Sequence, residues 1–178
     1  MNSSKHLILP IDRLWDGSIA DADEQAKVVF ALTPSGMNVE VTARFHGDPA
    51  PNQPVGQTDG LWNYEVVELF VANEKDEYLE LEIGPHGHYL ALLFSGKRLL
   101  TRQDIVVFCQ TTIDGALWRA TAHVPQSCLP HNLSRANAYA IHGREGARRF
   151  LAAFPLSGTQ PDFHQLNFFK PLTDIVRV

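Results

Sequence analysis

The sequence lacks long hydrophobic runs, and this limits where the chain is expected to reside. It contains no stretch of about 18 apolar residues, the length typical of a membrane-spanning helix. Only three apolar residues stand between the polar N-terminal residues and Pro10, too few for the apolar part of a secretory signal. We therefore expect no membrane partner and a cytoplasmic location.

Cysteine is scarce, and the motifs of several enzyme classes are missing. Cys109 and Cys128 are the only cysteines, and neither belongs to a CxxC pair or to a set with zinc-ligand spacing. We expect two buried thiols without a chemical role, and a disulfide between them stays open if the chain is exported. GxSxG, phosphate-binding glycine loops and the dinucleotide fingerprint are also absent, which disfavours serine hydrolases, kinases and dehydrogenases.

The chain also lacks an excess of positive charge. Lysine and arginine number 15, aspartate and glutamate number 20, and the formal net charge is −5. Nucleic acid and anionic membranes are therefore not expected partners. The 178 residues, 44% of them apolar, suffice for one core that buries about 70% of the unfolded surface. We predict a single domain over residues 1–178.

What the sequence does contain is a β-pattern, which is strongest between residues 61 and 94. Over residues 78–83 the side chains alternate, so that the leucines and the isoleucine share one face while Glu80 and Glu82 share the other. Polar turns divide this part of the chain into three predicted strands, at residues 61–72, 78–83 and 88–94. A helix over 61–72 is the alternative, but the β-branched and aromatic content favours a strand.

Hairpin signals recur along the rest of the chain. Turn residues at positions 33–36 and at Asp114-Gly115 each separate two alternating segments. No segment combines helical periodicity with capping residues over about 12 positions. The further predicted strands are residues 7–15, 27–32, 37–46, 105–113, 117–124, 136–142, 148–154 and 165–169. Short strands at this spacing indicate an all-β fold, namely an antiparallel β-sandwich of the jelly-roll type, with Trp118 in its core.

Glu68 is the most informative acidic residue, because its strand is otherwise apolar on both faces. If the strands at 61–72 and 78–83 pair antiparallel, Glu68 lies beside Glu80 or Glu82. Adjacent carboxylates raise each other's pKa unless a cation or a hydrogen-bond donor lies between them. The candidate cations are Arg44, Arg98, Arg119 and Arg149. Two alternatives stay open, namely that the acids lie on a solvated sheet face, or that they form a carboxylate pair suited to glycoside hydrolysis.

Two patterns suggest a metal, and the acidic residues at positions 12–24 lack the fixed spacing of a calcium loop, which leaves a pair of histidines. His86 and His88 flank a turn glycine, and together with Glu82 they could ligate a metal ion. Histidines in turns more often cap backbone groups, so we assign no metal site and no cofactor.

Trp62 is the candidate aromatic platform. It follows the irregular residues 47–60, and Tyr64 and Phe163 are possible companions. An indole face surrounded by glutamate, arginine and histidine suits a polar ligand with one apolar face, such as a sugar ring. The alternative is that Trp62 is an ordinary core or rim residue.

Several segments together resemble family-nine carbohydrate-binding modules and their DOMON-like relatives. The segments that carry the resemblance are VVELFVA, EYLELEIGPHG, LWRATAHVPQSCL and PDFHQLNFFKPL. More closely, LWNYEVVELF, YLELEIGPHGHYL, YAIHG and PDFH resemble an uncharacterised family of bacterial and animal proteins that consist of this domain alone. The resemblance implies a β-sandwich whose concave face holds a sugar, with Trp62 as a stacking residue and Glu68 as the mid-strand acid.

We therefore expect a non-catalytic domain that binds a small carbohydrate-like ligand on its concave sheet. The expected ligand-binding residues are Trp62, Glu68, Glu80, Glu82, Arg119 and His142. One alternative is an enzyme that acts on a sugar or small metabolite, with Glu68 and a neighbouring acid or His86 as proton-transfer groups. The other is a domain that binds a protein partner through its sheet. The sequence makes no prediction of oligomeric state.

Overall fold

The computed structural model describes residues 6–177, so that residues 1–5, part of the stretch examined for a secretory signal, lie outside the description together with residue 178. Almost all regular structure in this range is β-strand. The strands are β1 (Leu7–Ile11), β2 (Arg13–Leu14), β3 (Ala26–Thr33), β4 (Gly36–Arg44), β5 (Gly56–Gln57), β6 (Val66–Ala72), β7 (Glu77–Ile83), β8 (His88–Ser95), β9 (Leu100–Arg102), β10 (Phe108–Asp114), β11 (Leu117–Pro125), β12 (Arg135–His142), β13 (Arg149–Ala152), β14 (Lys170–Pro171) and β15 (Val176–Arg177). Four 3₁₀ helices lie between them, at Leu61–Asn63, Gln126–Cys128, Glu145–Ala147 and Leu166–Phe168.

Six strands form the first sheet, in the order β10-β11-β4-β3-β1-β15. Its neighbouring strands pair antiparallel, and its β3–β4 and β10–β11 hairpins confirm the two turns predicted from the sequence. Gly36 begins β4 with φ of +145°, and a Cβ built on it would lie 2.0 Å from the Val124 carbonyl oxygen. Only glycine fits there, because both the backbone angle and the neighbouring strand exclude a side chain.

Nine strands form the second sheet, in which β2-β13-β12-β6-β7-β8-β5 is the main order. Its pairing is antiparallel except for the two-residue contact of β5 with β8. The predicted meander is confirmed as β6–β7–β8, and the helical alternative is wrong, since only Leu61–Asn63 form a helical turn. In this register Glu68 lies opposite Glu82, and Phe70 lies opposite Glu80.

The two sheets pack face to face around an apolar core, which confirms the predicted β-sandwich. Trp118 is 1% exposed and belongs to this core, as predicted. The second sheet contributes every second residue of its central strands: Val67, Leu69, Val71, Leu79, Leu81, Ile83, Ala136, Ala138 and Ala140. By strand geometry, the residues between them, including all three predicted acids, face the other way.

The outer face of the second sheet is also buried, beneath the chain that follows β13. The sheet side chains in this second apolar cluster include Val66, Phe70, Tyr78, Leu90, Leu92, Phe94, Tyr139 and Ile141, and the covering side chains include Leu156, Phe163, Leu166 and Phe169. Phe163 stacks on Tyr139 with ring centroids 4.0 Å apart. This second layer explains why β6 is apolar on both faces.

Two predicted strands differ from the structure. The predicted strand at 165–169 is instead the 3₁₀ helix Leu166–Phe168. Residues three apart lie on the same side of a 3₁₀ helix, and this places both Leu166 and Phe169 in the outer apolar cluster. The predicted strand at 7–15 divides into β1 and β2 around Asp12.

Cys109 and Cys128 are unpaired, and Cys128 is buried. Within residues 6–177 no helix has the length and apolar content needed to span a bilayer.

Candidate functional site

A hollow of about 380 Å³ lies on the outer face of the second sheet. This volume is near the lower end of the ~300–1,000 Å³ usual for small-molecule sites. We call it the outer hollow, and its lining residues are Asp59, Trp62, Glu68, Glu80, Leu92, Phe94, Arg98, Leu100, Gln103, Ile141, Arg148, Phe150, Pro161, Phe163 and His164. Central strands supply its floor, whereas loops and the covering segment supply its rim.

The floor of the outer hollow contains a cluster of buried carboxyl groups. Glu68 and Glu80 line the hollow and are 2% and 5% exposed. Glu82 is 0% exposed and is the cross-strand neighbour of Glu68. Among the described residues, Glu80 Oε2 and both oxygens of Glu82 have no hydrogen-bond partner. The expectation that Glu68 lies beside the acids of the next strand is therefore met, on a buried face instead of a solvated one.

Burial controls the protonation of this carboxyl cluster. Loss of solvent raises the pKa of Glu68 and of Glu82 well above the usual value, and the charges of neighbouring glutamates raise both pKa values further. Burial also raises the pKa of Glu80, to about 7, although Arg98 opposes the rise. Near neutral pH the cluster therefore retains protons, and its members can donate as well as accept hydrogen bonds.

A hydrogen-bonded chain leads from Tyr78 through His164 toward Glu80. The Arg98 backbone N–H donates to Tyr78 Oη at 3.1 Å, and Tyr78 Oη lies 2.6 Å from His164 Nδ1. Burial lowers the pKa of His164 to about 4, so the ring is neutral at neutral pH. In the tautomer in which Tyr78 donates its hydroxyl proton to Nδ1, the imidazole carries its own proton on Nε2, which lies 3.6 Å from Glu80 Oε2.

Two arginines lie at the rim of the outer hollow. Arg98 forms an ion pair with Asp162, Nη2 to Oδ1 at 2.8 Å. Arg148 donates through Nη2 to the Trp62 carbonyl oxygen at 2.5 Å, and its guanidinium lies 5.2 Å from the Phe150 ring centroid. Burial lowers the pKa of Arg148, although the charge of Glu68 opposes this. Arg148 thus fixes the backbone that presents Trp62, whose side chain is 42% exposed.

Three of the expected ligand-binding residues do not line the outer hollow. Glu82 is fully buried beside Glu68, whereas Arg119 and His142 lie away from the hollow. Arg119 is on β11 of the first sheet, opposite Thr42 of β4, and is exposed. His142 is on β12, but it follows Ile141, which lines the hollow, and so it faces the opposite side of the strand. The expectation that these two residues share a site with Glu68 and Glu80 is therefore not met.

His142 belongs instead to a polar cluster at the edge of the sandwich. Glu24 accepts two hydrogen bonds from Arg149, at 2.6 and 2.8 Å, and lies 3.2 Å from His142 Nε2. The His46 and His142 rings stack with centroids 3.6 Å apart. The hydrogen bonds from Arg149 lower the pKa of Glu24 to about 2, and burial lowers the pKa of His46 to about 4. We assign this cluster a structural role, because it ties residues 21–24 to β12 and β13.

The histidines at the β7–β8 turn contact backbone carbonyl groups. His86 Nε2 lies 3.2 Å from the Asp48 carbonyl oxygen, and His88 Nε2 lies 3.0 Å from the Gln53 carbonyl oxygen. Both rings therefore hold the irregular residues 47–60 against the sheet. In the part of the chain that the structure describes, no group of three or more His, Cys, Asp or Glu residues is arranged to hold a metal ion.

The comparisons with known proteins decide the family. No family model matches the chain. A mouse protein, UPF0462 protein C4orf33 homolog, is 34% identical over 175 residues that span 92% of this chain and 89% of the mouse protein. The human UPF0462 protein C4orf33 is 35% identical over 171 residues, 90% of this chain and 84% of the human protein. The chain belongs to the UPF0462 family.

Solved structures show the same fold as this UPF0462 protein. A candidate carbohydrate-binding protein from Bacteroides uniformis superposes with a TM-score of 0.70 at 17% identity, over 92% of this chain and 84% of that one. A family-nine carbohydrate-binding module from Caldicellulosiruptor kristjanssonii, in complex with glucose, gives a TM-score of 0.50 at 14% identity, over 94% and 80% of the two chains. The resemblance to this fold predicted from the sequence is confirmed.

Sequence reasoning missed several lining residues of this UPF0462 protein. Arg148 and His164 were not predicted to face Glu68 and Glu80, and Tyr78 was not predicted to orient a histidine. Phe163 was named as a companion of Trp62, and both line the outer hollow, whereas Tyr64 does not. The signal for His164 was available, since it lies in the PDFH segment that supports the family resemblance.

Proposed function

We propose that this UPF0462 protein is a non-catalytic binding domain for a small carbohydrate-like ligand, held in the outer hollow. The observation that carries the proposal is the pair Glu68 and Glu80, buried at the floor of a hollow whose walls include Trp62, Phe94, Phe150 and Phe163. Sugar rings present hydroxyl groups around their edge and C–H groups on their faces, so they need polar partners and an apolar platform together.

The position of each residue in the outer hollow determines which part of the ligand it contacts. Glu68 and Glu80 accept and donate hydrogen bonds at the floor, and Glu82 is buried beside Glu68 on the neighbouring strand. Trp62, at the rim, offers an exposed indole face for stacking. The fold shared with a carbohydrate-binding module in complex with glucose supports the ligand class, although fold likeness is the weaker argument.

Calorimetric titration against a panel of mono- and oligosaccharides tests the proposal. We expect measurable binding to at least one monosaccharide, and at least a tenfold loss of affinity in Trp62→Ala. Phe108→Ala is the matched control, because Phe108 is 60% exposed but lies on β10 of the first sheet. Binding that survives Trp62→Ala unchanged would reject the assigned platform, and a panel without any binding would reject the ligand class.

A second function, acid–base catalysis on a sugar, is favoured by one observation. The pKa of Glu80 is raised to about 7, which suits a general acid at neutral pH, and Glu68 lines the same hollow. His86 is not available as its partner, because its ring binds the Asp48 carbonyl outside the hollow. Turnover of aryl glycosides by the wild type, lost in both Glu68→Gln and Glu80→Gln, would establish catalysis. Absence of turnover with intact binding supports the binding function.

A further inference from the structure

The outer hollow contains more acidic groups than available cations. Asp59, Glu68 and Glu80 line it, and Glu82 lies directly beside Glu68. This inference rests on the proposed function, because it concerns the chemical class of the ligand in the same hollow.

Two cations line the hollow, and in the described part of the chain only one of them is paired with an acid. Arg98 is paired with Asp162. Arg148 donates to the neutral Trp62 carbonyl group, and its charge lowers the pKa of Glu68, so it offsets only one of the three lining acids. His164 is neutral, because burial lowers its pKa to about 4. Within residues 6–177, neither Glu68 nor Glu82 forms a salt bridge with a basic side chain.

Buried carboxyl oxygens without partners create a demand for hydrogen-bond donors. Glu80 is 5% exposed and lines the hollow, and its Oε2 has no hydrogen-bond partner among the described residues. His164 Nε2 lies 3.6 Å from this atom, beyond normal hydrogen-bond length. A buried polar atom of this kind is costly unless a ligand or water supplies the missing donor.

The walls of the hollow suit a cation as well. Trp62, Phe94, Phe150 and Phe163 line it, and aromatic faces attract ammonium groups within about 6 Å of the ring centroid. Acidic groups combined with aromatic rings are complementary to an ammonium ion, whereas a neutral sugar needs the rings but not the negative charge.

We propose that the outer hollow takes a compact hydroxylated ring that carries a protonated amino group, such as an amino sugar, and that the ammonium group lies between Glu68 and Glu80. The ammonium ion donates up to three hydrogen bonds, and its charge stabilises the ionised form of the carboxyl groups beside it. The ring hydroxyls and the C–H faces contact the rim and the aromatic walls.

The proposal couples binding to proton release. The titratable and charged groups that face the carboxyl cluster from the surrounding elements are Asp59, Tyr78, Arg98, Tyr139, Arg148, Asp162 and His164. Because burial raises the pKa values of the three glutamates, the cluster holds protons that an entering ammonium ion displaces. Affinity for the amine should therefore rise with pH from 5 to 7.

Titration calorimetry with four matched probes tests the proposal. Glucosamine and glucose differ in the amino group, N-acetylglucosamine keeps the nitrogen without its charge, and cyclohexylamine keeps the charge without the hydroxyls. We expect glucosamine to bind at least tenfold more tightly than glucose or N-acetylglucosamine at pH 6.5. Two buffers of different ionisation enthalpy should reveal net proton release with glucosamine and none with glucose.

The outcomes separate this inference from the proposed function. Glucose bound as tightly as glucosamine overturns the inference and leaves the carbohydrate function standing. Cyclohexylamine bound as tightly as glucosamine supports the ammonium site and overturns the carbohydrate assignment, and no binding of any probe overturns both. Glu80→Gln should reduce the glucosamine-to-glucose affinity ratio to about one, and Glu68→Gln provides the same test if the first variant does not fold.

Discussion

Glu68 and Glu82 lie directly opposite each other on β6 and β7, and both side chains are almost completely buried. Side chains at such positions are about 5 Å apart at Cβ, so two ionised carboxylates there would repel strongly. Burial raises the pKa of both carboxyl groups, so the cluster keeps protons, and we expect the fold to lose stability at high pH.

Glu82→Gln should stabilise the protein at alkaline pH. Burial raises the folded-state pKa of Glu82 above its unfolded value, so stability is fully present below the unfolded pKa and falls as pH rises through the folded pKa. Glutamine cannot ionise, so the variant escapes this loss. Urea unfolding should show that the free energy of unfolding falls less between pH 5 and pH 8.5 in the variant than in the wild type.

The control for this prediction is Glu40→Gln, which changes an exposed carboxylate on β4 of the first sheet. It should leave the difference in unfolding free energy between the two pH values unchanged. A decline in Glu82→Gln as large as in the wild type would show that Glu82 is not a source of the alkaline sensitivity.

His46→Phe should reduce the sensitivity of the fold to acid. Burial lowers the folded-state pKa of His46 to about 4 from 6.5, so stability present above the unfolded pKa is lost as pH falls from 6.5 to 4. Phenylalanine keeps a ring that can stack on His142 but binds no proton. His46 is only partly buried, so solvent screening reduces the effect of its pKa shift on stability. We expect the free energy of unfolding to fall by about 1–2 kcal/mol less in the variant than in the wild type over this pH range.

Chemical denaturation at pH 6.5 and pH 4 measures the effect of His46→Phe. The comparison variant is His131→Phe, at an exposed turn position, which should follow the wild type at both pH values. If His46→Phe loses as much stability as the wild type, the stacked histidine pair does not contribute to acid unfolding.

The carboxyl cluster was predictable because it depends on local alternation and one hairpin register. Glu80 and Glu82 share a face by their two-residue spacing, and the short 73–76 turn between β6 and β7 places Glu68 opposite Glu82. Burial of that face was not predictable, since it depends on Leu156, Phe163 and Leu166, which follow β13 far along the chain.

The errors have equally specific causes. Arg119 alternates with core residues of β11, but alternation does not reveal that β11 belongs to the other sheet. His142 lies one residue after Ile141, and a single position moves a side chain to the opposite face of a strand. The sequence does not indicate that Arg148 lines the hollow. Arg148 lies at the end of the Glu145–Ala147 helical turn, and the placement of this turn depends on Gly143 and on long-range contacts.

Gly143→Ala should impair both stability and ligand binding. Gly143 has φ of +82°, and a Cβ there would lie 2.5 Å from the Ala147 carbonyl oxygen, so the 143–148 turn must shift. Because this turn carries Arg148, which holds the Trp62 carbonyl group, the rim of the outer hollow should shift with it. We expect an unfolding free energy lower by more than about 2 kcal/mol and weaker binding by calorimetry.

Gly115→Ala separates backbone strain from this steric clash. Gly115 also has a positive φ, +59°, but no atom lies within 4 Å of a Cβ built there. This substitution should lower the free energy of unfolding by about 1 kcal/mol and leave ligand affinity unchanged. Equal effects of the two substitutions on binding would show that the 143–148 turn does not position the rim.

Tyr78→Phe should release His164 from its fixed orientation. The Tyr78 hydroxyl lies 2.6 Å from His164 Nδ1 and accepts a hydrogen bond from the Arg98 backbone N–H, so phenylalanine removes both interactions. We expect a loss of about 1–2 kcal/mol in unfolding free energy. In ¹⁵N NMR spectra the His164 imidazole should change from one tautomer, protonated at Nε2, to a mixture, and ligand affinity should fall because the ring no longer faces Glu80 with a fixed donor.

Tyr139→Phe controls for the loss of a buried hydroxyl group on the same sheet face. Tyr139 Oη donates to the Phe163 carbonyl oxygen at 3.3 Å and has no hydrogen bond with His164, so this variant should lose comparable stability while the His164 tautomer stays fixed. If Tyr78→Phe leaves both the tautomer and the ligand affinity as in the wild type, then Tyr78 serves stability alone, and the orientation of His164 must come from the surrounding rings of Phe70 and Phe94.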